Sequence, residues 1–356
     1  MYRLIILLFV SDVQTEISTV VVCQPGSELS GLSKELTGVL QKARAPSTSK
    51  QYARAFGAWK QWCRQYTEVR DLPAEPMHIA LYLTFLSRSA TSYAKINLAS
   101  SAIAWAHTTA GIDSPTSHVL IKETLNGLKR SLAKPVQRKE PFDPIHVKLF
   151  FEILDENSVS DIRNTTIIVI AYYALLRFDE LCKVRCNDLE FFEEYVEISI
   201  KRSKADQLRQ GDTVLIARLG GTYCPVRLLE KYAELSGRYA ISDSLDVYLF
   251  RRCISKGRNI VLTDKDISLT YGCVRELVKN KAVQIGLNPS QFSTHSMRSG
   301  GATAAANSEV AERALQRHGR WACSSSKDGY VKDKLQTRLS VSKAIARAGV
   351  SPTKKV

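Results

Sequence analysis

Residues 294–306 read THSMRSGGATAAA, with His295 and Arg298 three apart in a small-residue run that predicts a helix. Side chains three apart share a helix face. A proton-handling imidazole and a permanent cation therefore point the same way, with almost no bulk behind them. Two readings fit: a packed helix with a histidine near its N-terminal cap, or a phosphate site. Other residues in the chain suit the second reading. Arg177 lies in ALLRFDEL, where one apolar helix breaks into another, and Glu180 three residues on is a natural partner. Lys204 sits in KRSKADQLRQGD, between two strand-like runs, where a lysine is ordinarily solvated. Trp321 follows in RHGRW, where an aromatic ordinarily packs, and Tyr330 in SKDGYVKD, where charged neighbours imply exposure.

The elements that must hold these residues follow from composition and periodicity. A chain of 356 residues, 44% hydrophobic and 24% charged, builds a soluble globular core and has room for two domains. Disordered and fibrous classes are excluded. A net charge of +15 favours a polyanionic partner, nucleic acid ahead of an anionic membrane. The eight cysteines include no C-x-x-C. Cys182 and Cys186 stand one helical turn apart, but no second pair or nearby histidine completes a zinc set. They read as free thiols in a reducing compartment, and no metal site is expected. The apolar run LIILLFV at 4–10 is too short to span a bilayer, and no small-x-small cleavage site clearly follows. The chain is not expected to be secreted.

Residues 1–41 carry no periodic pattern and read as a poorly ordered extension. From Ser47, a candidate cap along with Ser49, Tyr52, Phe56, Trp59 and Cys63 recur at helical spacing. Lys50, Arg54, Lys60 and Arg64 occupy the other side. Further helices follow Pro76 (Ile79, Leu83, Leu86), run from about Ser92 to a Gly111 stop, and run from Ser117 to about Lys134 (Leu125, Leu128, Leu132). This all-helical domain spans 42–134. From 42 to 140 there are 15 Lys/Arg against 6 Asp/Glu, a surplus of 15 − 6 = +9. Such a bias reads as a DNA-facing module, with Lys134, Arg138 and Lys139 continuing it into a stiff basic linker at 135–144 that carries prolines. From 145 to 348 helices flank a period-two stretch at 195–219, with Val196, Ile198 and Ile200 on one face of a strand. Helices are expected near 145–176, 225–236, 268–286, 295–307, 309–317 and 334–348, with Gly349 as a stop and 349–356 as a tail. The fold class is mainly α with a small antiparallel β-sheet.

The order Arg177 with Glu180, Lys204, His295-x-x-Arg298, Trp321 and Tyr330 resembles the tyrosine recombinase, or phage integrase, family. Ala302 and Thr303 stand where that family's second box places Ala-Thr, and Trp321 precedes Tyr330 by the family's nine residues. His318 lies three residues too early for that position. The RSGGAT and HGRW variants look more like recombinases of eukaryotic mobile elements. The resemblance implies an N-terminal core-binding domain at 42–134 and an α+β catalytic domain beyond it. It also implies a site-specific enzyme that cuts and rejoins DNA through a 3′-phosphotyrosine. Tyr330 would attack, with His295 as base, since a phenol holds its proton at neutral pH. Arg177 and Arg298 would bind the non-bridging oxygens in fixed bidentate geometry, with Glu180 in support. Lys204 would protonate the leaving 5′-oxygen, and the Trp321 indole N–H would bond the phosphate. No cofactor is expected: the arginines stand where most phosphoryl-transfer sites use magnesium, and the phosphotyrosine conserves the bond energy otherwise drawn from ATP.

Two neighbouring functions share these residues: a domesticated DNA-binding protein that no longer recombines, and a type IB topoisomerase-like strand-passing enzyme. The complete residue set opposes the first. The separate basic helical module and an amphipathic last helix (Leu335, Leu339, Ile345) favour assembly, dimer to tetramer, on paired sites. The expected location is the nucleus in a eukaryote and the cytoplasm otherwise.

Overall fold

A computed structural model of the chain describes residues 43–348 except 136, 202–210, 237–245, 258 and 309, together with 4–6, 17–19, 28, 32, 35 and 39. It divides into two units, Met1–Gln137 and Arg138–Val356. Among the described residues no helix is long and apolar enough to cross a membrane.

In the first unit, β1 (Leu4–Ile6) pairs antiparallel with β2 (Ile17–Thr19), a pairing within 1–41 that periodicity did not anticipate. Four helices follow: α1 (Pro46–Cys63), α2 (Pro76–Ser87), α3 (Tyr93–Thr109) and α4 (Val119–Ser131). Neither Ser47 nor Ser49 caps α1. Its N-cap is Ala45, and Pro46 opens the helix, because proline's fixed φ and missing N–H suit a first turn. Ser92 is the N-cap residue of α3, and Gly111 takes a φ of 68° just past its end. The core joins Phe56, Trp59, Ile79, Leu83, Ile96, Ile103 and Ile121. Buried His107 fixes the loop before α2: its Nε2 accepts from the Ala74 N–H at 2.9 Å, and its Nδ1 donates to the Ile103 carbonyl at 2.8 Å. Burial pushes its pKa down, so it stays neutral and keeps an acceptor for Ala74.

The second unit is built around α6 (Val159–Tyr173), buried on nearly every side. It is preceded by α5 (Pro144–Glu152), so the single helical stretch expected over 145–176 is two helices with a turn between them. After the short α7 (Phe178–Leu181) come β3 (Leu189–Phe191), β4 (Tyr195–Ile200) and β5 (Asp212–Ala217), an antiparallel sheet in that order. Val196, Ile198 and Ile200 face the core, as the alternation requires, opposite Ile216, Val214 and Asp212. The amphipathic α8 (Pro225–Leu235) follows, then a second hairpin, β6 (Cys253–Lys256) with β7 (Asn259–Leu262), that sequence patterning missed. Helices α9 (Tyr271–Gln284), α10 (Thr294–Ala306), α11 (Glu312–His318), α12 (Ser324–Asp328) and α13 (Leu335–Ala348) complete the unit. Gly349 lies outside the described residues.

Within the stretch read as linker, Phe142 is a core residue of the second unit. Its ring stacks on Phe292 at 4.6 Å, and its N–H donates to the Ser296 carbonyl at 3.0 Å. This contact and the approach of α6 explain the glycines of RSGGAT. A Cβ on Gly300 would stand 2.3 Å from the Phe142 carbonyl oxygen, and one on Gly301 would stand 2.1 Å from the Tyr172 carbonyl oxygen. Backbone cannot yield to a methyl group as a flexible side chain can. Gly301→Ala should therefore cost about 1–3 kcal/mol, typical of overpacking, seen as a lower denaturant midpoint. Gly127→Ala in α4 meets nothing within 4 Å and should be neutral or stabilising. Equal midpoints for Gly301→Ala and wild type would disprove the close helix contact.

Candidate active site

The site begins where α6 ends. Leu175 adopts a left-handed φ of 48°, and the chain turns at once into α7. Such a backbone is costly for a residue with a Cβ. The turn makes Arg177 the N-cap residue of α7 and Glu180 its third residue. Glu180 accepts from the Arg177 N–H at 2.9 Å through Oε2 and from the Arg177 guanidinium at 2.7 Å through Oε1. The pairing anticipated from ALLRFDEL is thus a cap and an ion pair together.

Helix α10 brings the second arginine. Ser293, rather than His295, caps it: Ser293 Oγ accepts from the His295 N–H at 3.3 Å, and the Ser296 hydroxyl accepts from the Ser293 N–H at 3.0 Å. His295 is exposed, one turn before Arg298, which is 0% exposed. The Arg298 guanidinium donates to the Leu175 and Gly319 carbonyls and lies 3.8 Å from Glu180. It also lies 4.5 Å from the Trp321 ring centre and 5.0 Å from that of Tyr330. Burial, then Arg177, lowers its pKa, but a guanidinium keeps its charge at neutral pH.

Trp321 packs in a small cluster with Leu175, Ala302 and Leu315, against which Tyr330 lies. A Cβ on Gly319 would fall 1.8 Å from the Trp321 ring, so only glycine admits the indole there. The Tyr330 ring sits 6.3 Å from the His295 ring and 5.6 Å from that of Trp321. Its backbone is held by Thr303, whose hydroxyl donates to the Tyr330 carbonyl at 3.3 Å and accepts from the Lys332 N–H at 3.1 Å. Five of the six expected catalytic residues (Arg177, His295, Arg298, Trp321 and Tyr330), together with Glu180, therefore meet in one place. Lys204 lies outside the described residues. His318, set aside on spacing, anchors structure instead: its Nε2 donates to the Tyr173 carbonyl at 2.7 Å.

Sequence reasoning missed Arg320. Its guanidinium donates to Glu180 Oε2 at 2.9 Å and to the carbonyls of Leu175 at 3.1 Å and His318 at 2.9 Å. Three arginines therefore surround one carboxylate that is 2% exposed. Burial raises the Glu180 pKa, but Arg320 first, and then the bonds from Arg177, outweigh it and hold the carboxyl below its usual value. Around Glu180, Arg298 Nε, Arg320 Nε and the Trp321 indole N–H are buried without an acceptor, and those of Arg298 and Trp321 belong to the side chains nearest the Tyr330 ring, where a ligand oxygen could take them up. No group of three or more His, Cys, Asp or Glu side chains there could hold a metal ion.

In the first unit Lys50, Arg54, Arg64 and Lys134 are exposed, and Lys60 stands 3.8 Å from Asp71. In the second, Arg138 is exposed and the Lys139 ammonium donates to the Ser290 carbonyl at 2.5 Å.

A family model described as the phage integrase family matches residues 142–336, more than half the chain. An integrase/recombinase xerD homolog of Selenomonas ruminantium is 28% identical over 293 residues, covering 79% of this chain and 80% of that one. The recombinase cre of Escherichia phage P1 is 24% identical over 297 residues, covering 79% and 82%. A solved structure of the XerH site-specific recombinase on palindromic difH substrate shares the fold, with a TM-score of 0.59 at 16% identity over 83% of this chain and 79% of that one.

Removing Glu180 would strand three cations. Glu180→Ala should lose about 3–5 kcal/mol in denaturant unfolding at neutral pH, the range for breaking a buried pair. The folded-state pKa lies below the unfolded 4.5, so the carboxylate's contribution is complete above about that pH. It is lost as pH falls through the folded value, and Glu180→Gln should flatten this acid limb. An unchanged acid limb in Glu180→Gln would show that the carboxylate is not ionised in the fold.

Proposed function

The chain belongs to the phage integrase family and is a tyrosine recombinase, and we infer that it exchanges strands between specific DNA sites by the following division of labour. Tyr330 attacks the scissile phosphorus, forming a 3′-phosphotyrosine, and the 5′-oxygen leaves. His295 takes the phenolic proton. Arg177 and Arg298 bind the non-bridging oxygens and offset the charge that grows on them. Trp321 donates its indole N–H to the same phosphate. Lys204 protonates the departing 5′-oxygen. A second DNA 5′-hydroxyl reverses the step, so the energy of the broken bond is kept and no ATP is consumed.

The observation that carries this reading is the meeting of Tyr330 with His295, Arg298 and Trp321 around one unsatisfied indole donor. Exposed cations of the helical unit, Lys50, Arg54 and Arg64 with Lys134, supply the sequence-independent part of DNA binding. Leu335, Leu339 and Ile345 are exposed on α13, an apolar stripe suited to a second copy when recombinases assemble on paired sites. The protein acts where its DNA lies, in nucleus or cytoplasm.

The test begins with a degenerate duplex library, from which DNA covalently trapped on the protein is sequenced. On a recovered duplex carrying a nick, in EDTA, wild type should accumulate a covalent adduct. Tyr330→Phe should bind equally and form none. Adduct at wild-type levels in Tyr330→Phe would remove the tyrosine from its role, and binding without any adduct in wild type would leave a DNA-binding protein.

Lys204 can be tested separately. Lys204→Ala should cleave about 10²–10⁴-fold more slowly, as expected for losing a general acid. A substrate with sulfur at the bridging 5′ position leaves as a thiolate and needs no proton, so there the variant should approach the wild-type rate. Lys201→Ala should show no such rescue. Equal impairment of Lys204→Ala on both substrates would make the lysine a phosphate binder.

A further inference from the structure

Arg320 has no place in the division of labour above, yet the fold gives it an unusual setting. Its backbone φ is 53°, a left-handed conformation that favours glycine, and Leu175 is the other described non-glycine residue with positive φ. The two are joined: the Arg320 guanidinium donates to the Leu175 carbonyl, which also accepts from Arg298. A residue with a Cβ persists in such a conformation when its surroundings hold it there. Here the holding contacts are made by its own guanidinium, which reaches four groups: Glu180 and the carbonyls of Ala174, Leu175 and His318. Its side chain is 3% exposed, and both terminal nitrogens are bonded to acceptors within the protein.

What Arg320 does is set by distance at Glu180 Oε2. Arg320 stands 2.9 Å from that oxygen and Arg298 stands 3.8 Å from it. Without the nearer cation, the buried carboxylate would draw Arg298 into direct contact, because an unpaired charge in a dry site takes whatever partner it can reach. Arg298 would then spend its donors on Glu180 rather than on a phosphate. We propose that Arg320 is a positioning residue for DNA strand cleavage: it occupies Glu180 Oε2 and the Leu175 carbonyl, and so keeps Arg298 available to the scissile phosphate while Glu180 aims Arg177. This rests on the reading of the site as one that cuts DNA, and the experiment separates the two.

Arg320→Gly removes the guanidinium and leaves a residue at ease with the left-handed backbone, so lost function cannot be blamed on added strain. Adduct formation is followed on the nicked duplex recovered from the library, for wild type, Arg320→Gly, Glu180→Gln and the double variant. Arg320→Gly should bind the duplex as wild type does and form adduct about 10²-fold more slowly, the cost of losing one preorganised transition-state donor. In the Glu180→Gln background the same change should cost less than about threefold, because residues that act through one another are not additive. Methylguanidinium in the buffer should restore part of the Arg320→Gly rate. Should the glycine variant unfold, the cycle is read with Arg320→Lys, which keeps bulk and charge but not the fork and should show the same non-additivity. A wild-type rate for Arg320→Gly, or an equal loss in both backgrounds, overturns the proposal. Absence of adduct in wild type would instead overturn the assignment of strand cleavage.

Discussion

The arrangement of charge in the second unit's candidate site depends on one buried carboxylate. Three guanidiniums close together repel one another and each loses its hydration. Glu180 makes the arrangement tolerable by bonding Arg177 and Arg320 and lying within 3.8 Å of Arg298. Three positive groups and one negative leave a surplus of 3 − 1 = +2 around a carboxylate that is 2% exposed. A phosphodiester brings one negative charge, and the pentavalent arrangement at the peak of the reaction brings about two. On the proposed reading, that surplus would match the transition state better than the bound substrate, the condition for accelerating a reaction rather than only binding its substrate.

Backbone features, not side chains alone, set where those charges sit. The left-handed Leu175 stops α6 and exposes its carbonyl to two arginines. Gly300 and Gly301 let α10 approach so closely that Arg298 reaches that carbonyl, and Gly319 leaves room for the Trp321 ring. Each small residue removes a methyl group from a place where backbone or indole must stand. The same close approach that packs α10 on α6 also aims its arginine at the Leu175 carbonyl.

The helical unit and the candidate site use charge in opposite ways. Cations of the helical unit are mostly exposed, where single pairs contribute little and salt screens them, so they suit reversible attraction to a polyanion. The three arginines around Glu180 in the second unit are instead buried or partly buried and bonded to fixed acceptors, and are effective over short distances. Lys60 beside Asp71 and Lys139 on the Ser290 carbonyl lie between these extremes.

Much of this was legible in the sequence. Helical spacing revealed Trp59 and Ile79 as core, alternation placed Val196, Ile198 and Ile200 on one face, and the types and order of Arg177, Glu180, His295, Arg298, Trp321 and Tyr330 announced phosphate chemistry. These signals are local: each rests on a repeat within one element or on a residue type that a reaction requires. Tertiary structure alone decided the rest. Ser47 and Ser49 are good caps by type, yet Pro46 opens the helix. Phe142 sits among linker-like neighbours, yet its stacking partner lies 150 positions along the chain, at Phe292. Arg320 reads as one more surface cation in QRHGRW, since nothing nearby in sequence says that Glu180, 140 residues earlier, waits for it. Periodicity reports which face of an element is buried. It cannot report which carbonyl or carboxylate from a distant element will be there, and the placement of charge in this site is made of such meetings.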